Sequence, residues 1–161
     1  LNEIIKYDLL VLLSGPEPQR TILENKLLVE LKNYDGKVLF VRGVLNDAAK
    51  IKVNDNIEVG NYLGTKDLEI ALNSSALVLA RSGYSTIMDL AVLGKKAFFI
   101  PTPGQFEQEY LAQKYKKEGI APFAEQQKFT LKMLDETENY SGFKQTEMNL
   151  DLDLFCLFKG E

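Results

Sequence analysis

The sequence predicts an α/β fold built on a doubly wound, mostly parallel sheet. Short continuous apolar runs recur at residues 7–13, 37–42, 76–80 and 97–100, the pattern of strands covered on both faces. Between them lie segments whose apolar residues fall at spacings of three and four, as amphipathic helices require. Each run stops at a break containing glycine or proline. Strand and helix alternating in this way imply right-handed crossovers above and below a parallel sheet.

The first run ends at Ser14-Gly15-Pro16, and a helix is expected from about Pro18 to Lys32 with an apolar face of Ile22, Leu23, Leu27, Leu28 and Leu31. Gly43 closes the second strand, and residues 46–56 read as a polar loop. A short third strand and turn follow at Val59-Gly60-Asn61-Tyr62, with Thr65 or Asp67 opening a helix to about Asn73. The strand at 76–80 stops at Arg81-Ser82-Gly83; Thr86, Ile87, Leu90, Ala91 and Leu93 then keep helical spacing until Gly94, which suits a helix end. The strand at 97–100 ends at Pro101-Thr102-Pro103-Gly104-Gln105. The helix after it, 106–118, carries Gln108 and Glu109 in its first turn.

Beyond Gly119, residues 120–123 read as a short last strand and 129–136 as a helix. Leu150, Leu152 and Leu154 alternate with aspartates, as an edge strand or an acidic tail would. Residues 1–140 are expected to form one α/β domain, and 141–161 a tail packing on it or on a missing amino-terminal domain. A strand begins almost at once after Leu1, which is not a methionine. The expectation is therefore an excised carboxyl-terminal portion of a longer protein, with processing as the other source.

Composition removes several classes of function. The formal net charge of −4 gives no general attraction for nucleic acid. With no histidine and a single cysteine, Cys156, the chain holds no Cys/His zinc site, Ser-His-Asp triad, Cys-His dyad or internal disulfide. No stretch reaches the roughly 20 apolar residues that span a bilayer. No Asp-x-Asp pair falls near the loops at the strand ends, so no metal is expected; Asp151 and Asp153 lie in the tail.

The chemistry is expected where strand carboxyl ends meet helix amino ends, the rim at which open parallel sheets bind ligands. Gly83 lets a backbone approach an anion, and Ser82, Ser85 and Thr86 place hydroxyls beside the first N–H groups of a helix, which together make a phosphate seat. Ser82 and Ser85 equally suit simple capping, with Gly83 making the turn. Ser14 and Gly15 form a second junction on the same rim. Arg20 either pairs with a diphosphate or lies solvated on its helix, and Asp89, about one turn inside the helix, can accept from sugar hydroxyls. These loops match neither the G-x-G-x-x-G fingerprint nor a Walker A sequence.

These residues, in this order, resemble a known family. Ser14-Gly15, Val59-Gly60-Asn61-Tyr62, Ser82-Gly83-Tyr84-Ser85-Thr86-Ile87-Met88-Asp89, Pro101-Thr102-Pro103-Gly104-Gln105 and Glu107-Gln108-Glu109-Tyr110-Leu111-Ala112 look like the carboxyl-terminal domain of glycosyltransferase family 28. The resemblance implies the Rossmann-like half of a GT-B transferase. This half would bind a UDP-sugar, with no further cofactor, and a missing amino-terminal half would hold a lipid-linked or polysaccharide acceptor. It implies diphosphate contacts from Ser14, Gly15, Ser82 and Gly83, base contacts from Val59, Gly60 and Asn61, and a ribose contact from Asp89, where close relatives carry glutamate. Gln108, near Gln105, would match the first of two glutamines that address the donor sugar; Glu109 stands at the second.

Transfer also needs a base to take the acceptor proton. Glu107 and Glu109 are candidates, yet first-turn carboxylates commonly serve the helix dipole, so the base is expected on the missing half. Two further readings share the architecture: half of a sugar-nucleotide hydrolase or 2-epimerase, and a non-catalytic donor-binding subunit of a two-chain transferase. The expected location is cytoplasmic, peripheral at the inner membrane face.

Overall fold

The computed structural model describes residues 4–45 and 53–145. The strands are β1 Tyr7–Leu12, β2 Val38–Val41, β3 Ile57–Gly60, β4 Ser75–Ala80 and β5 Lys96–Phe99, and the helices α1 Gln19–Glu30, α2 Thr65–Asn73, α3 Tyr84–Leu93 and α4 Phe106–Lys117. The strands form one five-stranded sheet in the order β3-β2-β1-β4-β5, every pairing parallel. The doubly wound parallel sheet read from the sequence is the one that forms.

Alternation along the strands divides the core in two. Leu9, Val11, Phe40, Val59, Leu79 and Phe98 meet Leu23, Leu27 and Leu31 of α1 and its extension, with Phe129 and Leu134 beside them. On the opposite face, Leu10, Val78, Ala80 and Phe99 meet Leu72 of α2, Ile87 and Leu90 of α3, and Leu111 and Ala112 of α4. β1, β2, β4 and β5 thus contribute to the core on both sides and read as largely apolar runs, whereas edge strand β3 is buried on one face, through Ile57 and Val59, with Glu58 exposed.

Three local expectations are corrected. Residues 120–123 form no strand: Phe99 N–H donates to the Pro122 carbonyl and Ala124 N–H to the Phe99 carbonyl, and only an isolated bridge, Phe99 with Phe123, results. Pro122 has no N–H to extend a ladder. The expected helix at 129–136 is a 3₁₀ segment, Leu131–Asn139, whose inward residues Leu131, Leu134 and Thr137 repeat every three positions. The alternation at 150–154 lies outside the described residues, but the first part of the tail packs on this domain: Phe143 is buried edge-on against Phe99 and beside Tyr115.

The third correction concerns α1. Ile22 is 49% exposed, whereas Arg20 and Glu24 are buried. The Arg20 guanidinium pairs with Glu24 and with Glu17, and donates to the Arg42 carbonyl at 3.0 Å; Glu24 also receives Arg42 Nε at 2.7 Å. This network fastens α1 to the end of β2. A buried carboxylate shared by two arginines is costly to remove, since Arg42 then loses Glu24 and Arg20 is left with the exposed Glu17. Glu24→Leu should therefore lower stability by about 3–5 kcal/mol in urea unfolding, while Glu17→Ala, at the exposed end, leaves the midpoint close to wild type. Equal midpoints for the two variants would contradict a buried network.

Candidate donor-binding site

The strand order reverses direction between β1 and β4, so the loops leaving their carboxyl ends diverge and open a crevice. Ser14 and Gly15 stand on one side, and Arg81, Ser82 and Gly83 on the other. Gly15 has φ +101°, where side chains are disfavoured, and a Cβ there would face Thr102 Oγ1 at 3.5 Å. Gly83 differs in kind. Its backbone, φ −75° and ψ 149°, admits any residue, and a Cβ would find no atom within 4 Å. Conformation does not require glycine there; the open space before α3 is the feature.

Ser85 and Thr86 lie in the first turn of α3, whose amino end has no side-chain cap. Ser82 is placed otherwise than expected. It is fully buried, and its hydroxyl donates to the Gln108 carbonyl at 2.7 Å, joining this turn to α4 rather than facing the rim. Arg20 is likewise corrected: held by Glu17 and Glu24, it is neither solvated nor turned to an anion.

The residue that sequence reasoning passed over is Arg81, 1% exposed. Its Nη1 donates to the carbonyls of Ile100 and Pro101 at 3.1 and 3.3 Å, and its Nη2 to the Gln19 carbonyl at 3.2 Å. Burial pushes its guanidinium down to about 10, so it is still charged at neutral pH. The available signal was a charged residue at the end of a buried strand, directly before Ser-Gly.

Along the rim, Val59 is buried and the carbonyls of Gly60 and Asn61 accept from Arg42 and Val44 N–H at 2.9 and 3.0 Å. Arg42 Nη1 also reaches Asn61 Oδ1 at 3.4 Å, so this turn is tied to the buried ion network. Asp89 lines a cavity of about 250 Å³ between α2 and α3 with Thr65, Leu68, Glu69, Leu72 and Val92. Desolvation holds its carboxyl above the ordinary range. Gln105, Gln108 and Glu109 meet at the loop between β5 and α4: Thr102 N–H donates to Gln108 Oε1, Gln108 Nε2 to Gln105 Oε1, and Gly104 N–H to Glu109 Oε1.

The loops at Ser14-Gly15, Asn61, Gly83 and Gln105 thus leave the carboxyl ends of the strands along one edge, with Asp89 further along α3, whereas Ser82 and Arg20 are turned to protein partners. Among the described residues no three His, Cys, Asp or Glu side chains are grouped to hold a metal ion, and no helix is long and apolar enough to cross a membrane.

Residues 19–145 match the model of the glycosyltransferase family 28 C-terminal domain. The chain is 30% identical over 135 residues to the UDP-N-acetylglucosamine--N-acetylmuramyl-(pentapeptide) pyrophosphoryl-undecaprenol N-acetylglucosamine transferase of Haemophilus ducreyi, covering 80% of this chain and 37% of that protein. It therefore spans little more than a third of that relative's length. Among solved structures, MurG of Acinetobacter baumannii is similar with a TM-score of 0.59 at 18% identity, over 88% of this chain and 44% of that one. The glycotransferase of kitacinnamycin gives 0.64 at 18% identity, over 80% and 33%. At these identities the structural likeness speaks for the fold. The chain belongs to glycosyltransferase family 28, as the carboxyl-terminal, Rossmann-like half of a GT-B fold.

Proposed function

We propose that this domain binds a UDP-linked sugar and, with an amino-terminal acceptor domain, transfers that sugar to a lipid-linked or saccharide acceptor. The observation that carries this reading is the unobstructed Gly83 at the amino end of α3, placed in the crevice where the strand order reverses. There the diphosphate meets main-chain N–H groups and the positive end of a helix, worth up to ~2 kcal/mol where partly buried. Arg81, buried behind the seat with its Nη groups on three main-chain carbonyls, adds a positive field. As the glycosidic bond breaks, negative charge grows on the departing diphosphate, and these fixed groups stabilise it.

Asp89 accepts from the ribose hydroxyls, the Val59-Gly60-Asn61 turn lies at the base, and Gln108 with Glu109 lies at the sugar. The base that takes the acceptor proton belongs to the other half. The Haemophilus relative is named for an undecaprenol-linked acceptor, which supports a lipid-linked acceptor for this chain; the location that goes with this reading is the cytoplasmic face of a membrane. Calorimetric titration of the chain with UDP, UDP-N-acetylglucosamine, GDP and TDP tests the reading, which requires saturable binding with preference for the uridine ligands.

Gly83→Val should abolish this binding while leaving the circular dichroism spectrum and the urea midpoint unchanged, because the new side chain enters open space that only the ligand needs. Unaltered affinity in the folded variant would remove the phosphate seat. Asp89 carries a pH signature as well. Its carboxyl is raised in the folded state by desolvation, so the folded chain holds that proton more tightly than the unfolded one, and the group's contribution to stability falls as pH rises through the carboxylate range. Asp89→Asn is accordingly expected to match wild type in acid and to exceed it at neutral pH, in unfolding curves taken across that range. Nucleotide affinity should run the other way, weakening as acid protonates Asp89 and dropping in Asp89→Ala at neutral pH.

A further inference from the structure

The last described residues run back toward the carboxyl end of α3. A Cβ at Gly142 would lie 2.7 Å from Lys96 Cγ, Phe143 N–H donates to the Lys95 carbonyl at 3.0 Å, and a Cβ at Gly94 would lie 3.0 Å from Gln145 N. As the chain advances from 142 to 145, its neighbours therefore step back from 96 to 94. It is heading for Leu93 and Val92.

At that point α2 and α3 leave a groove between them. Leu68 and Leu72 of α2 and Val92 and Leu93 of α3 line a cavity of about 250 Å³, with Glu69 and Asp89 on its walls. The lining positions on each helix fall three or four apart, so one face of each borders the groove. Leu72 is buried, but Leu68 and Leu93 are only partly covered and Val92 is 41% exposed. The sequence after Gln145 then carries Leu150, Leu152, Leu154, Phe155, Leu157 and Phe158.

From the direction of the chain and the apolar groove ahead of it, we propose that the tail, residues 148–158, docks between α2 and α3. Reach is sufficient: Leu150 stands five residues beyond Gln145, up to about 17 Å of extended chain, whereas α3 rises only about 8 Å between Gly94 and Asp89. Removing the leucines and phenylalanines from water drives the docking. Charge orients it. Glu69 and Asp89 repel Asp151 and Asp153, and because these aspartates alternate with Leu150, Leu152 and Leu154, the leucines enter the groove while the aspartates face water. The occupant is thus this chain's own tail, not a second copy or an amino-terminal half.

Cys156 is the only cysteine, so a nitroxide attached to it marks the tail alone. In the full chain, the backbone amides of residues 65–72 and 89–94 should lose most of their NMR signal and regain it when the nitroxide is reduced. Those of α1, across the sheet, should keep most of theirs. Val92→Asp adds a carboxylate to the groove at an exposed position, and Leu152→Asp removes an apolar anchor from the tail; each should raise the α2 and α3 signals severalfold over the labelled wild type. Should Val92→Asp fail to fold, Leu152→Asp, which alters no described residue, carries the comparison. Nitroxide-labelled chain mixed with unlabelled, ¹⁵N-enriched chain should cause no loss. No loss on α2 and α3, larger losses on another face, losses that persist in folded variants, or losses passed between copies in the mixture overturn the docking and leave the donor-binding reading untouched.

Discussion

The rim depends on one buried cation. Arg81 leaves the end of β4, and its guanidinium holds the carbonyls of Ile100 and Pro101 beyond β5 and of Gln19 at the start of α1. Three loops that the sheet would otherwise let diverge are thereby fixed to one group. Burial disfavours the charge, as the lowered proton affinity shows, yet a guanidinium with carbonyl partners keeps it. A neutral side chain of the same size could fill the space, but it could not hold three carbonyls at once. The position of the crevice follows from strand order, whereas its width follows from Arg81.

On this frame the glycines of the rim divide by what surrounds them. At Gly43, φ is +72° and a Cβ would meet the Leu13 carbonyl at 2.1 Å, so glycine there lets β2 turn past the end of β1. At Gly60 and Gly83 a Cβ would meet nothing within 4 Å. The fold itself makes no use of that emptiness, and both positions lie on the edge where a nucleotide-sugar is proposed to sit. Asn61, next to Gly60, is tied through Arg42 to Glu24, so the ion network inside α1 also steadies the turn proposed for the base.

The sheet was legible because strands covered on both faces must be apolar throughout, and five parallel strands then leave few topologies. The Ser-Gly turn between β4 and α3 was legible for a local reason, since a buried strand, the turn and a helix are written in consecutive residues. What failed depended on distant partners. The apolar spacing of α1 pointed to Ile22 as an inward residue, but Arg20 and Glu24 take the inward face because Arg42, from another element, completes their charge balance. Ser82 looked like a ligand hydroxyl and is a brace, because its acceptor lies 26 residues away in α4. Arg81 went unread for the same reason, its acceptors being carbonyls that carry no sequence signal.

Arg81 carries its charge in a buried environment, whereas Asp89, exposed on α3, is only partly desolvated. Burial lowers the proton affinity of Arg81, and desolvation raises that of Asp89, so folding works against the charge on each. The Nη groups of Arg81 donate to the main-chain carbonyls of Ile100, Pro101 and Gln19. On the donor reading, a nucleotide diphosphate supplies negative charge in the field of the guanidinium, and its ribose supplies hydroxyl donors for the carboxylate. On the donor reading, ligand binding therefore relieves costs already present in the folded chain, and affinity and stability are coupled by more than the contacts alone. On that reading, a domain with ample apolar core keeps a buried cation beside the edge where an anion is proposed to bind.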